Sequence, residues 1–286
     1  MNLKHITLLL TAACMALVLA CDQQEDIPAY VRVEPFTIDE PGGDTLHDLT
    51  DGWFYADLVF LGAYDLPSDI PVLNEGLNEI LVFPGIKENG ILETPNIYPM
   101  MTWHIEDITL QPGKVTVVKP VVRYDPAAIF AWDIDRGTFD GNSTVALENL
   151  DSDADLNFIL TNVDGFTGKY LQMAVDTAHP VMAVAFEPVT LPTVRERQTW
   201  LEMHYRNELP FVLSLIGQTT GQSDDYSPVF QFNVSSEWNK IYINLTDFVA
   251  FDPHDRYRLL FNLNLPTTGV NISGKVQIDN VRLVHF

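Results

Sequence analysis

Short runs of aromatic and β-branched residues, separated by Gly, Pro, Asn and Asp, recur along the chain, and sustained helical periodicity is almost absent. Several runs alternate apolar and polar residues, as antiparallel strands with one face on a core do. These two observations predict an all-β protein, and its 286 residues leave room for two domains behind an N-terminal leader.

The leader comes first. Residues 1–20 have the form of a secretory signal: Lys4 gives a positive start, Ile6 to Leu19 is an almost unbroken apolar run, and the small Ala20 precedes Cys21. The run is short of the roughly 20 residues a spanning helix needs. Leu19-Ala20-Cys21 resembles the lipobox of bacterial lipoproteins. The resemblance implies cleavage before Cys21 and acylation of both its thiol and the new amino terminus. Several acyl chains anchor stably where one binds marginally, so Cys21 is the expected lipid attachment site and the membrane a partner through it. Gln23-Gln24-Glu25-Asp26 resembles the acidic export signal of surface-exposed Bacteroidetes-type lipoproteins. That implies an outer-membrane location facing the cell surface, with the periplasmic face as the alternative. The expected organisation is a signal over 1–20, a tether over 21–29, one sandwich over 30–122 and a second over 123–286.

Composition narrows the function classes. The other cysteine, Cys14, lies in the signal, so the mature chain has no disulfide and rests on buried apolar area, which 47% hydrophobic residues can supply. With 39 acidic against 16 basic residues the formal charge is -23. Nucleic-acid binding draws its affinity from Lys and Arg neutralising phosphates, so nucleic acid is excluded as a partner.

Taken in order, Val31 and Val33 alternate with Arg32 and Glu34 as a first strand, and Trp53 to Leu61 reads as one longer run broken at Gly62. Asn89-Gly90 is a hairpin signal because both residues tolerate positive φ. Trp103 and Ile105 alternate with polar neighbours, and Gln111-Pro112-Gly113-Lys114 has Pro and Gly where a type II turn wants them. Strands at this density over 30–122 predict an N-terminal immunoglobulin-like β-sandwich. Residues 122–136 read as the boundary, with a turn at Tyr124-Asp125-Pro126. Asp151, Asp153 and Asp155 imitate a calcium loop, but its sixth and twelfth positions, Gly and Glu in an EF-hand, are Leu156 and Asn162; the triplet reads as a solvated loop.

Farther on, strand-like runs flank His179-Pro180. Leu201, Met203 and Tyr205 alternate with Trp200, Glu202, His204 and Arg206, and Ile241, Ile243 and Leu245 with Lys240, Tyr242 and Asn244. Leu259, Phe261, Leu263 and Leu265 repeat the pattern. In the last strand Val276 and Ile278 share one parity while Val281 and Leu283 take the other, which predicts a β-bulge at Asp279-Asn280. The segments from Trp238 to Leu245 and from Lys275 to Leu283 resemble the terminal strands of galactose-binding-like jelly rolls, a superfamily that includes many carbohydrate-binding modules. The resemblance covers roughly residues 130 to 286 and implies a C-terminal galactose-binding-like jelly-roll β-sandwich. The fold also carries peptide-binding and spacing roles. The whole chain resembles uncharacterised two-domain Bacteroidetes lipoproteins, through Trp53-Phe54-Tyr55-Ala56-Asp57 and Phe83-Pro84-Gly85-Ile86-Lys87 among others.

No catalytic constellation stands out. The seven histidines are scattered, none in a His-Glu-x-x-His arrangement, and neither a Gly-x-Ser-x-Gly elbow nor a phosphate-binding Gly-Lys-Ser/Thr loop occurs. A carboxylate pair at about 5–9.5 Å would serve a glycosidase, but the abundance of acids makes such pairs uninformative, and the chain is expected not to be an enzyme. For binding, residues two apart on a strand lie about 6.6 Å apart on one face. Trp200, Glu202, His204 and Arg206 are therefore expected to form one stripe, an aromatic ring beside charged groups that suits a sugar. The alternative is that Trp200 packs against the first sandwich and the others face water. Asp279 is a candidate calcium ligand by resemblance to jelly rolls that hold a structural ion, with Asp135 or Glu148 as partners. The alternative is a side-chain hydrogen bond that stabilises the bulge. The expected function is glycan capture through the C-terminal domain; the other reading is an accessory subunit of an outer-membrane secretion, gliding or import complex. Exposed apolar patches on the first domain would favour the second reading, and an aromatic-lined groove on the second domain the first.

Overall fold

The structure, a computed structural model, describes residues 26–40, 46–132, 134–141, 143–153, 158–163, 166, 168–267 and 273–286. Cys21 lies outside the described residues, as do the side chain of Asp135 and all of Asp155. The chain is all-β, two sandwiches in succession. Among the described residues no helix is long and apolar enough to cross a membrane.

The first sandwich contains β1 (Ala29–Val33), β2 (Thr37–Ile38), β3 (Asp51–Ala56), β4 (Val59–Asp65), β5 (Ser68–Val72), β6 (Gly76–Lys87), β7 (Pro95–Ile97), β8 (His104–Leu110), β9 (Val115–Val118) and β10 (Val121–Val122). One layer has the order β5-β1-β9, β1 running antiparallel to β5 and parallel to β9, with β2 and β10 paired beside it. The other has the order β4-β3-β6, with β7 and β8 both paired to the far side of β6. Alternation sets the core: Val31, Val33, Phe54, Ile70, Ile80 and Val82 point inward and Arg32, Trp53 and Tyr55 do not. The turn residues behave as their chemistry requires, Asn89, Gly90 and Gly113 all taking positive φ.

The run from Trp53 to Leu61 is not one strand. It folds back on itself as the β3–β4 hairpin, with Asp57 and Leu58 at φ 47° and 64° in the turn. A hairpin turn of this kind ordinarily carries Asn or Gly, and the absence of either hides it in the sequence.

The jelly roll contains β11 (Ile129–Phe130), β12 (Leu147–Asn149), β13 (Phe158–Thr161), β14 (Tyr170–Asp176), β15 (Val181–Phe186), β16 (Thr199–Asn207), β17 (Phe211–Gln218), β18 (Asp225–Phe232) and β19 (Ser235–Asn244). It closes with the short helix α1 (Thr246–Phe251), then β20 (Arg256–Asn264) and β21 (Ser273–His285). One sheet runs β13-β14-β21-β16-β19, with β11 on β21; the other runs β12-β15-β20-β17-β18. Their facing sides meet in a core that includes Leu201, Met203, Ile241, Ile243, Phe261 and Leu283. The parity switch in β21 is a bulge: Glu202 pairs with Arg282 but His204 with Asp279, and Asn280 sits at φ 51°. Both Ile278 and Val281 thereby stay buried.

The two sandwiches share a continuous packed boundary. Trp200, Tyr242 and Val284, on the outer face of the β16-bearing sheet, join the apolar core of the first sandwich. Glu88 and Asn89, at the end of β6, bond to Asn244 and Tyr242. β6 thus spans the first sandwich, its twelve residues covering about 40 Å from the end where the described chain begins to the jelly roll.

Candidate functional site

The predicted stripe exists as a row on one face of β16, but the row is covered. Trp200, Glu202 and His204 are buried, and Arg206 is half-buried. Trp200 stands edge-on to Tyr98 at 5.5 Å and donates its indole N–H to Gln198. His204 stacks on Phe166 at 4.2 Å. Arg206 bonds to Gln277 and lies 5.2 Å over Trp238. The open, polar face expected from alternation is therefore corrected: the first sandwich and the rings of Phe166 and Trp238 lie on it, so β16 is covered on both sides. Lys240 and Tyr242, also expected on a polar face, are enclosed with it.

What fills that boundary is an ionic network around Glu202. Its Oε1 accepts from the hydroxyls of Tyr98 and, at 2.8 Å, Tyr124. Its Oε2 accepts from Lys240 Nζ at 3.0 Å. Arg282 Nη1 donates to Tyr124 Oη at 3.0 Å and lies 3.2 Å from His47 Nε2. Burial pushes the Glu202 carboxyl up, but Lys240, His47, Arg282 and the Tyr98 bond outweigh it and hold it at about 2. Burial lowers Lys240 to about 8 against the pull of Glu202, and brings His47 to about 3 and His204 to about 2, so both imidazoles are neutral at physiological pH. The Glu202 carboxylate, the Lys240 ammonium and the His47 imidazole are all enclosed, and the network's chemistry is that of a joint.

Asp279 is also fully buried, and its Oδ1 accepts from the backbone N–H of Asn280 at 2.7 Å across the bulge. Glu148, its suggested partner, bonds instead to Arg258 at 2.6 Å.

A concave site lies elsewhere on the jelly roll. A cleft of about 720 Å³ opens where β17 ends and β18 and β20 begin, beside α1. That volume is in the range of small-ligand sites. Phe248, Phe251 and Tyr257 give it apolar walls, and Asp225, Asp247, Asp252, His254 and Arg195 its polar groups. Phe251 is 85% exposed, so its ring is free to stack on a ligand. The far wall is pre-organised. Tyr257 Oη accepts from His254 N at 2.8 Å and lies 3.0 Å from Val249 O and 3.1 Å from Asp252 O, pinning the turn after the helix. The His254 ring is set by Thr219 Oγ1, 3.0 Å from Nδ1, and its Nε2 lies 3.4 Å from Asp252 and 3.8 Å from Asp225. Thr220 donates both N–H and hydroxyl to Asp255, which these bonds hold below the usual carboxylate range. Among the described residues, Asp225, Asp252 and His254 form the group whose ligand atoms, within 4.8 Å of one another, could take a metal.

Gly217 makes this packing possible. A Cβ there would fall 2.1 Å from His254 Cδ2. Gly217→Ala is expected to displace the imidazole from Thr219 and to cost about 1–3 kcal/mol, read as a lower urea midpoint; an unchanged midpoint would show that the ring is not held there.

A second surface belongs to the first sandwich. On the outer face of its β4-β3-β6-β8 layer, Trp53 stacks on Phe60 at 5.3 Å, Tyr55 meets Phe60 and Phe83, and Phe83 meets Trp103 at 5.3 Å. Phe60, Trp103 and Ile105 are exposed. Sequence reasoning saw these residues as strands but not as one aromatic surface, which forms only when four strands align in register.

No family model matches the chain, and no curated protein matches it. Solved structures do resemble it. A family 11 carbohydrate-binding module from Clostridium thermocellum, in complex with a β-1,3-1,4-mixed-linked tetrasaccharide, is 16% identical over 49% of this chain and 96% of its own, with a TM-score of 0.33. A carbohydrate-binding module described for the promiscuous specificity of its β-sandwich superfamily covers 91% of this chain and 99% of its own at 13% identity and a TM-score of 0.36. The enzymatically active domain of tailspike protein 4 from bacteriophage CBA120 is 18% identical over 56% of this chain, with a TM-score of 0.38; the match spans 22% of the tailspike chain. These are distant likenesses between β-sandwiches.

Proposed function

We propose that the protein is a non-catalytic lipoprotein, anchored through Cys21 to the outer membrane and facing the cell surface, that binds a glycan through its jelly roll. The observation that carries the ligand class is the cleft at α1. Its exposed Phe251 ring offers a face for the C–H side of a pyranose, and Asp225, Asp252, His254 and Arg195 offer hydrogen bonds to hydroxyls around it. This reading sets binding apart from the Trp200 stripe, in which Trp200, Glu202 and His204 are buried.

The test is a polysaccharide and glycan screen on the full-length protein in detergent, run with calcium and with chelator. A hit weakened at least tenfold, about 1.4 kcal/mol, by Phe251→Ala and by Asp225→Asn supports the reading. A hit that ignores both substitutions removes the cleft, and loss with chelator would assign a cation to Asp225, Asp252 and His254.

The aromatic surface of the first sandwich favours a second reading, an accessory subunit docked through that sheet within an outer-membrane complex. Surfaces rich in Trp, Tyr and Phe are enriched at protein interfaces. A blank glycan screen together with cross-linking from Trp103 to a second protein in native membranes would favour it over glycan capture.

A further inference from the structure

The end of the first sandwich where the described chain begins is apolar in a way its fold does not require. Four segments converge there. Gly113 N–H bonds to Pro28 O, which sets Ile27 against the β8–β9 turn. β1 pairs Ala29 with Val72, which brings Leu73 beside Pro28. Asp57 bonds to Glu79 and Asn74, which lays the β3–β4 turn against the start of β6 at Leu77. On this end Ile27, Leu58, Val59, Leu73 and Leu77 are all exposed, Leu58 by 75% and Leu77 by 71%. Leu58 also holds a left-handed conformation that a branched side chain adopts at a cost of about 1 kcal/mol or more, in a turn where Gly would sit without strain. Neither the strain nor the exposure helps the sandwich fold.

We infer that this end rests in the surface of a lipid bilayer. The inference rests on the proposed anchor at Cys21 and takes it further. Asp26 is the fifth residue after Cys21, a reach of at most about 18 Å when fully extended, so an acylated Cys21 would hold this end close to the headgroups. The exposed side chains are aliphatic, suited to the acyl boundary. The charges among these segments, Asp26, Asp57, Glu75 and Glu79 against Lys114, form no basic cluster, so the attraction is apolar and zwitterionic lipid suffices. The opposite end of β6 carries the jelly roll, so seating this end on lipid would fix the height of the whole molecule above the membrane.

The experiment uses the full-length protein, purified after metabolic labelling with radioactive palmitate, in phosphatidylcholine vesicles that contain brominated acyl chains. An environment-sensitive fluorophore on Leu58→Cys should shift to the blue and be quenched by at least half. The same dye on Ser236→Cys, in the jelly roll, should be unaffected. Adding Leu73→Asp and Leu77→Asp should restore most of the Leu58→Cys emission while palmitate incorporation is unchanged. An unquenched Leu58→Cys label on protein that carries palmitate at Cys21 overturns the docking and leaves the anchor standing. Absence of palmitate, with Cys21→Ser indistinguishable from the unmodified protein, overturns the anchor and the docking together. A shielded but unquenched label that cross-links to its counterpart in another copy would overturn the lipid assignment in favour of self-association.

Discussion

Glu202→Gln is expected to destabilise the protein by about 3–5 kcal/mol, because it removes the charge that two buried cations share. Lys240 contacts the carboxylate directly, and Arg282 reaches it through the Tyr124 hydroxyl. With the anion gone, both keep their desolvation cost without its offset. Urea unfolding monitored by tryptophan fluorescence measures the loss, and Trp200 at the joint is one of the five tryptophans that report it. Adding Lys240→Met should recover part of the stability, since an apolar side chain of similar length replaces an orphaned ammonium. A loss below about 1 kcal/mol would mean that water screens the cluster as it screens surface pairs.

Acid should open the same boundary. His47 and His204 fold neutral, at about 3 and about 2, whereas an unfolded histidine binds a proton near 6.5. Below that value the unfolded chain binds more protons than the native one, so stability falls as pH drops from about 6.5 toward 3. Glu202, at about 2 when folded and about 4.3 when not, adds a second loss of the same sign below about 4.5. By linkage each histidine withdraws up to about 3 kcal/mol by pH 4. Thermal melts from pH 7.5 to 4 should show the midpoint falling from about pH 6.5. His47→Gln with His204→Gln should move the onset down to the carboxylate range. A midpoint flat to pH 5 in the unmodified protein would show that the imidazoles meet water in the native state.

Much of the jelly roll was legible from residue order alone. Where apolar residues keep strict parity, as at Ile241, Ile243 and Leu245, a strand of one register is the only arrangement that buries all of them. The parity break between Ile278 and Val281 announced the bulge for the same reason. The β3–β4 hairpin was hidden because Asp57-Leu58 lacks the residues that left-handed turns ordinarily take. The Trp200 stripe was legible as a face, with the packing of Trp200 on the first sandwich as its alternative; that Glu202 and His204 lie covered beside it was not legible, since how far the first sandwich caps that sheet is a tertiary outcome. The cleft escaped because Arg195, Gly217, Asp225, Phe251 and Tyr257 come from separate segments that no spacing rule connects.

The placement of β1 has a mechanical meaning. The chain leaves the first sandwich at Pro28, next to the start of a strand held on both sides, antiparallel to β5 and parallel to β9. A load between the residues before Asp26 and a ligand held on the jelly roll would pull along the axis of β1. Its lateral hydrogen bonds would then be loaded together in shear and not peeled one at a time. If anchored at this end as proposed, the protein would bear drag on a captured glycan without its first strand unzipping.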